Sequence, residues 1–88
     1  MRMTAAQPEA AMFGERLREL REKRELSLRS LADLAGMSYT YISDMERGLR
    51  VPSLTTILRL AVALKCEVTD LVDVFNGRDL RKLIPKRK

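Results

Sequence analysis

The 88-residue chain has no histidine, no tryptophan and a single cysteine, Cys66. Without histidine the common nucleophile–base pairs cannot be assembled, and one thiol leaves too few soft ligands for a zinc site. A lone cysteine builds no disulfide framework within the chain, which points to a reducing cytoplasm, and Cys66 reads as a small buried apolar residue. The four glycines are scattered along the chain and do not form a phosphate-cradling loop. These absences argue against an enzyme and against any cofactor or metal centre. No apolar run approaches the roughly 20 residues that span a bilayer. The opening MRMTAAQPEAAM has no hydrophobic stretch like that of a secretory signal, so no membrane partner is expected. With two Phe and two Tyr as the only aromatics, a core must be assembled from Leu, Ala, Val, Ile and Met.

Charge is what the chain has in excess. Seventeen Lys and Arg against twelve Asp and Glu leave a formal charge of +5, which favours an anionic partner such as nucleic acid or a membrane surface without choosing between them. At 45% hydrophobic and 33% charged residues, the composition is that of a soluble globular chain with room for one core.

Apolar residues recur at helical spacing throughout, and no sustained alternation argues for strands. Residues 1–9 read as a flexible start, 10–76 as one domain and 77–88 as a basic tail. Phe13, Leu17 and Leu20 mark a first helix from about Ala10 to Arg24, with Gly14 tolerated inside it at about 1 kcal/mol relative to Ala. Ser27 has the chemistry of an N-cap for a second helix bearing Leu28, Leu31, Ala32, Leu34 and Ala35, which Gly36 ends. Ser38 caps a third helix over Tyr39 to Arg47, ended by Gly48. Ser53 caps a fourth, with Leu54, Ile57, Leu58, Leu60, Ala61 and Leu64 expected mostly inside. Thr69 is the expected cap of a short fifth helix through Leu71, Val72 and Phe75. Leu80, Leu83 and Ile84 have the spacing of one or two further helical turns. The expected fold is all-α, and the two short helices around Gly36 have the form of a helix-turn-helix.

The residues ERLRELRE, LSLRSLADLAGMS, YISDMERG, VPS and LTTILRLAVALKCEVTDL, in that order, resemble the Cro/C1-type (XRE-like) helix-turn-helix family. The resemblance implies a compact five-helix, lambda-repressor-like domain that binds double-stranded operator DNA as a homodimer and regulates transcription. An antitoxin-type module that binds a protein partner and represses its own promoter is the alternative. The resemblance also pairs Arg21 with the acid of the YISDMERG motif, Glu46, locking the first helix to the third. Two positions depart from the family pattern. Leu28 stands where many members carry Gln, and Lys65 stands where Gly or Asn is common.

At about 100° per residue, Tyr39, Thr40, Ser43, Asp44 and Arg47 share one arc of the third helix, while Ile42 and Met45 face the opposite way. Leu31, Leu34, Met37, Ile42 and Met45 are the expected grip between the second and third helices. Tyr39, Thr40, Ser43 and Asp44 are candidates for base edges, since hydroxyls both donate and accept and a carboxylate accepts from a cytosine amine. For Asp44 the competing reading is an ion pair with Arg47 three residues on. Arg47 and Arg50 suit the sugar–phosphate backbone, as do the capped helix starts at Ser27 and Ser53. Capping alone would also account for the two serines. Tyr41 can reach a phosphate or pack. Leu71, Val74 and Phe75 are candidates for a dimer surface, or they complete the core. Lys86, Arg87 and Lys88 either reach DNA or form a solvated end.

Overall fold

The computed structural model describes residues 7–84, and these are helical with no strand among them. The order is α1 (Pro8–Lys23), α2 (Leu28–Ala35), α3 (Tyr39–Glu46), α4 (Leu54–Leu64), α5 (Val68–Val72) and α6 (Gly77–Leu83). The residues before Gln7, and Lys86, Arg87 and Lys88, lie outside the described residues. The helix α1 begins earlier than its apolar spacing suggests, because Pro8 occupies its first positions, where a missing N–H costs nothing.

The starts of the middle helices are set by hydroxyl caps. Ser27 Oγ accepts from Ser30 N at 3.0 Å, Ser38 Oγ from Tyr41 N at 3.0 Å, and Ser53 Oγ from Thr56 N at 3.1 Å. Each satisfies one of the N–H groups that a helix start leaves without an intrahelical partner. The fifth helix departs from expectation: Glu67, not Thr69, stands at its cap position, and Glu67 N donates to Asp70 Oδ2 at 2.9 Å. Starting the helix there turns Val68, Leu71 and Val72 towards the core.

The ends of α1 to α4 share one device. An N–H reaches back five residues to a carbonyl in Leu26→Arg21, Met37→Ala32, Leu49→Asp44 and Cys66→Ala61, at 2.9–3.1 Å. The residue before each donor is left-handed: Glu25 (φ 57°), Gly36 (φ 68°), Gly48 (φ 76°) and Lys65 (φ 55°). This is the Schellman termination, which favours a residue without a Cβ. Gly36 makes the turn between α2 and α3 without strain, whereas Glu25 and Lys65 hold the same conformation against a steric penalty.

The core is formed by Phe13, Leu17 and Leu20 of α1, Leu31, Ala32 and Ala35 of α2, Ile42 and Met45 of α3, Leu60, Ala61 and Leu64 of α4, and Leu71 of α5. Full burial of an apolar side chain of this size stabilises by about 1.5–3 kcal/mol, so Ile42 and Met45, both at 0% exposure, pin α3 firmly. Several expected core residues lie outside it. Leu34 is 61% exposed, Leu54 70% and Leu58 46%, because these positions turn to faces of α2 and α4 that no other element among the described residues covers. Arg16 secures α5 to α1: its Nε donates to Asp70 O at 2.7 Å and lies 3.4 Å from an Asp73 carboxylate oxygen. The helix α6 forms one wall of an open apolar cleft of about 310 Å³, with Phe13, Ile57, Val72 and Phe75 among the other walls.

Candidate nucleic-acid interface

The α3 helix rests on α1 through an unusually close crossing. A Cβ placed on Gly14 would collide with Met45 O and lie 2.9 Å from Glu46 O. Glycine at this point of α1 is a condition of the approach, not a tolerated weakness. The approach sets Arg21, two helical turns on, against Glu46. Arg21 Nε donates to Glu46 Oε2 at 2.6 Å and Nη2 to Oε1 at 3.0 Å, a bidentate fork. Nη1 donates to Leu26 O at 2.8 Å, in the loop before α2. With side-chain exposures of 12% and 7%, this pair is largely withdrawn from water. The hydrogen bond with Glu46 raises the Arg21 pKa above its ordinary value, against the opposing cost of burial. One guanidinium therefore fixes α1, the loop leading into α2, and the end of α3.

The outward side of α3 is graded along its length. Tyr39 and Thr40 at its start are exposed, and Ser43 and Asp44, one turn on, are half-buried. Asp44 is flanked by two arginines: Arg47 Nη1 and Arg50 Nε each lie 3.9 Å from a carboxylate oxygen. That separation is longer than a hydrogen bond, so both side chains are held loosely and stay exposed. Arg50 also lies over the Tyr41 ring, 5.4 Å from its centre. The Tyr41 hydroxyl is 3.2 Å from Thr56 Oγ1, which itself accepts from Ser53 Oγ at 3.0 Å. Tyr41 thus spans from α3 to the capped start of α4.

The hydroxyls of Ser27 and Ser53 are engaged within the protein. Ser27 Oγ donates to Ser30 Oγ at 3.0 Å while accepting from Ser30 N, and Ser53 Oγ does the same with Thr56. What these two helix starts can offer an anion is their remaining backbone N–H groups. Leu71, at 0% exposure, is a core residue that no second chain can reach, which corrects its reading as dimer surface. Val74 and Phe75, beyond the end of α5, are half-buried. Cys66 is half-buried, and burial pushes its thiol pKa up.

Two residues of this region escaped the sequence reading. Gly14 is one, and its importance depends on a tertiary crossing. The other is Arg29 in the first turn of α2, whose guanidinium carbon lies 5.4 Å from the centre of the Tyr39 ring. A cation at the start of a helix opposes the helix dipole, and that was the local signal available.

Two short helices joined at a left-handed glycine, the second pinned by its rear face and showing a polar front, define a helix-turn-helix domain. The chain belongs to the helix-turn-helix domain family, whose model matches residues 12–75. It is similar to the HTH-type transcriptional regulator DdrOP3 of Deinococcus deserti, 48% identical over 59 residues that make up 67% of this chain and 46% of the relative. It is similar also to the control protein C.BamHI of Bacillus amyloliquefaciens, 40% identical over 63 residues, 70% of this chain and 78% of that one. Among solved structures, the restriction-modification controller protein C.AhdI from Aeromonas hydrophila superposes with a TM-score of 0.70 at 46% identity, covering 72% of this chain and 96% of that chain. The chain spans less than half the length of the Deinococcus relative.

Proposed function

We propose that this protein is a transcriptional regulator that reads double-stranded DNA with α3 in the major groove, as a homodimer on a palindromic operator. The observation that carries the reading is the division of α3 into two sides. Ile42, Met45 and the Arg21–Glu46 fork hold its rear, while Tyr39 and Thr40 stand exposed at its start. A helix held in this way can enter a groove about 12 Å wide with its first residues at the base edges. Tyr39 offers a ring and a hydroxyl to a thymine methyl or a phosphate, and Thr40 a methyl and a hydroxyl. Ser43 is small enough to allow close approach. Arg47 and Arg50 neutralise phosphates, and the starts of α2 and α4 at Ser27 and Ser53 present N–H groups to the same backbone. Tyr41 supports that contact from behind, with its ring beneath the Arg50 guanidinium.

Asp44 has two roles in this account. Before binding it gathers Arg47 and Arg50, which lie on either side of it. On DNA the arginines turn to phosphates, and the freed carboxylate accepts from a cytosine amine and repels bases that present acceptors. Val74 and Phe75 supply part of the contact between two copies, which sets the half-sites about one turn, 34–36 Å, apart.

Selection of bound sequences from a random DNA pool tests the reading. A two-fold symmetric motif is expected from the wild type, and a changed base preference at one position of each half-site from Asp44→Ala. If the wild type enriches no motif and its binding falls with salt equally on every sequence, it is a nonspecific binder and the proposal fails. An unchanged preference in Asp44→Ala removes the filter role of the acid alone.

A further inference from the structure

The first turn of α2 carries an arginine that local structure does not explain. Leu28 packs against the core, and Ser30 is bonded to the Ser27 cap, so Arg29 is the first-turn side chain that reaches α3. Acids, not cations, are the side chains that favour this end of a helix. Arg29 makes no hydrogen bond or ion pair among the described residues. Its guanidinium contact is with the Tyr39 ring face, 5.4 Å from the centroid and within the range of cation–ring attraction. The guanidinium thus lies over the ring, and its N–H groups have no hydrogen-bond partner among the described residues. The two arginines beyond α3 differ in this respect, since Arg47 and Arg50 both lean on Asp44 at 3.9 Å.

We propose that Arg29 is a positioning residue for base reading: its N–H edge binds a DNA phosphate while its face holds the Tyr39 ring at one angle against a base pair. This inference rests on the DNA-binding reading above. Tyr39 is exposed at the first position of α3, where little else restrains its ring. A guanidinium anchored to a phosphate holds that exposed ring at one angle. Contact with the backbone and discrimination at one base pair then become a single event. Arginine suits the task and lysine does not, because only the planar group can stack and bind an anion at once.

The test compares wild type, Arg29→Ala, Arg29→Lys and Tyr39→Leu by selection from a random DNA pool and by affinity against salt. Arg29→Ala is expected to lose discrimination at the same base pair as Tyr39→Leu and to keep it elsewhere. It should bind the preferred site about tenfold more weakly and flatten the log–log salt slope by about 0.9, the loss of one phosphate contact. Arg29→Lys is expected to keep the wild-type salt slope and still lose the discrimination. If Arg29→Ala weakens every sequence equally, or Arg29→Lys retains the full preference, the residue is a plain phosphate contact and the proposal is overturned. Proton NMR without DNA checks the stack: upfield-shifted Arg29 Cδ protons should return to ordinary values in Tyr39→Leu, and their absence from the wild type overturns the proposal. Failure of the DNA reading itself appears differently, as a wild type that enriches no motif although the ring shift is present.

Discussion

Replacing Gly14 with alanine should unfold the domain at a markedly lower temperature, against the ordinary rule for helices. In a solvent-facing helix the exchange stabilises by about 0.5–1 kcal/mol, because glycine loses more freedom on folding. Here the added methyl meets backbone, the carbonyl oxygens of Met45 and Glu46. A side chain could swing away, but a helix carbonyl moves only if α3 moves. Overpacking of this kind costs typically 1–3 kcal/mol, and the rigidity of the partner places this site at the upper end. Net of the helix gain, a loss of about 2 kcal/mol is expected. For a domain of this size that is roughly 4–8 °C per kcal/mol, or about 8–16 °C in Tm. Thermal denaturation followed by circular dichroism at 222 nm measures it, with Glu15→Ala, one residue along and exposed, as the control that should shift little. A Gly14→Ala protein that melts at or above the wild-type temperature would refute the close crossing and the reasoning built on it.

Three further outcomes are expected. Arg21→Ala should cost about 3 kcal/mol, since it strands the buried Glu46 carboxylate and the Leu26 carbonyl, whereas Arg18→Ala, which breaks the exposed pair with Glu22, should cost under about 0.5 kcal/mol. Denaturant titration of the two variants decides it, and equal losses would deny the fork its structural role. Lys65→Gly should stabilise by about 0.5–1 kcal/mol by relieving the left-handed conformation, because Arg24 bonds to the Lys65 carbonyl and not to its side chain. A lower Tm in that variant would contradict this. Cys66, whose thiol pKa is raised by burial, should be alkylated by iodoacetamide more slowly at pH 7.5 in the folded protein than in urea, and faster as pH rises. Equal rates in the two states would contradict it.

The parts of the fold legible in the sequence are those decided within a few residues. Ser27, Ser38 and Ser53 cap their helices because a hydroxyl next to a free N–H has little else to do. Gly36 ends α2 because the turn requires a positive φ. Glu67 and Thr69 both bring side-chain oxygens to the start of α5, and the packing of Val68 against the core, a tertiary matter, goes with the earlier start. Leu34, Leu54 and Leu58 show a different limit. Periodicity identifies an apolar face, but whether another element covers it depends on how the helices are arranged. The outward arc of α3 was readable as a surface, and so was the approach of Arg47 to Asp44 three residues before it, but the rest of its wiring was not. Arg50 beside Asp44, Tyr41 tied to Thr56, and Arg29 over Tyr39 join residues of different elements or of helix and loop. No spacing rule within one element reports such contacts.

The fork made by Arg21 has a consequence for portability. The segment from Leu26 to Gly48 resembles a self-contained cassette that could be cut out and grafted onto another scaffold to transfer its recognition surface. It is not one. Without the first helix, Glu46 becomes an unmatched charge on the inner side of α3, and the carbonyl of Leu26 loses its donor. A recipient scaffold would need an arginine at the same reach and a stretch bare enough to let α3 settle beside it, as Gly14 does here. The recognition surface is therefore inherited together with the first helix and the core behind it, and swaps that change the reading face should leave the first helix in place.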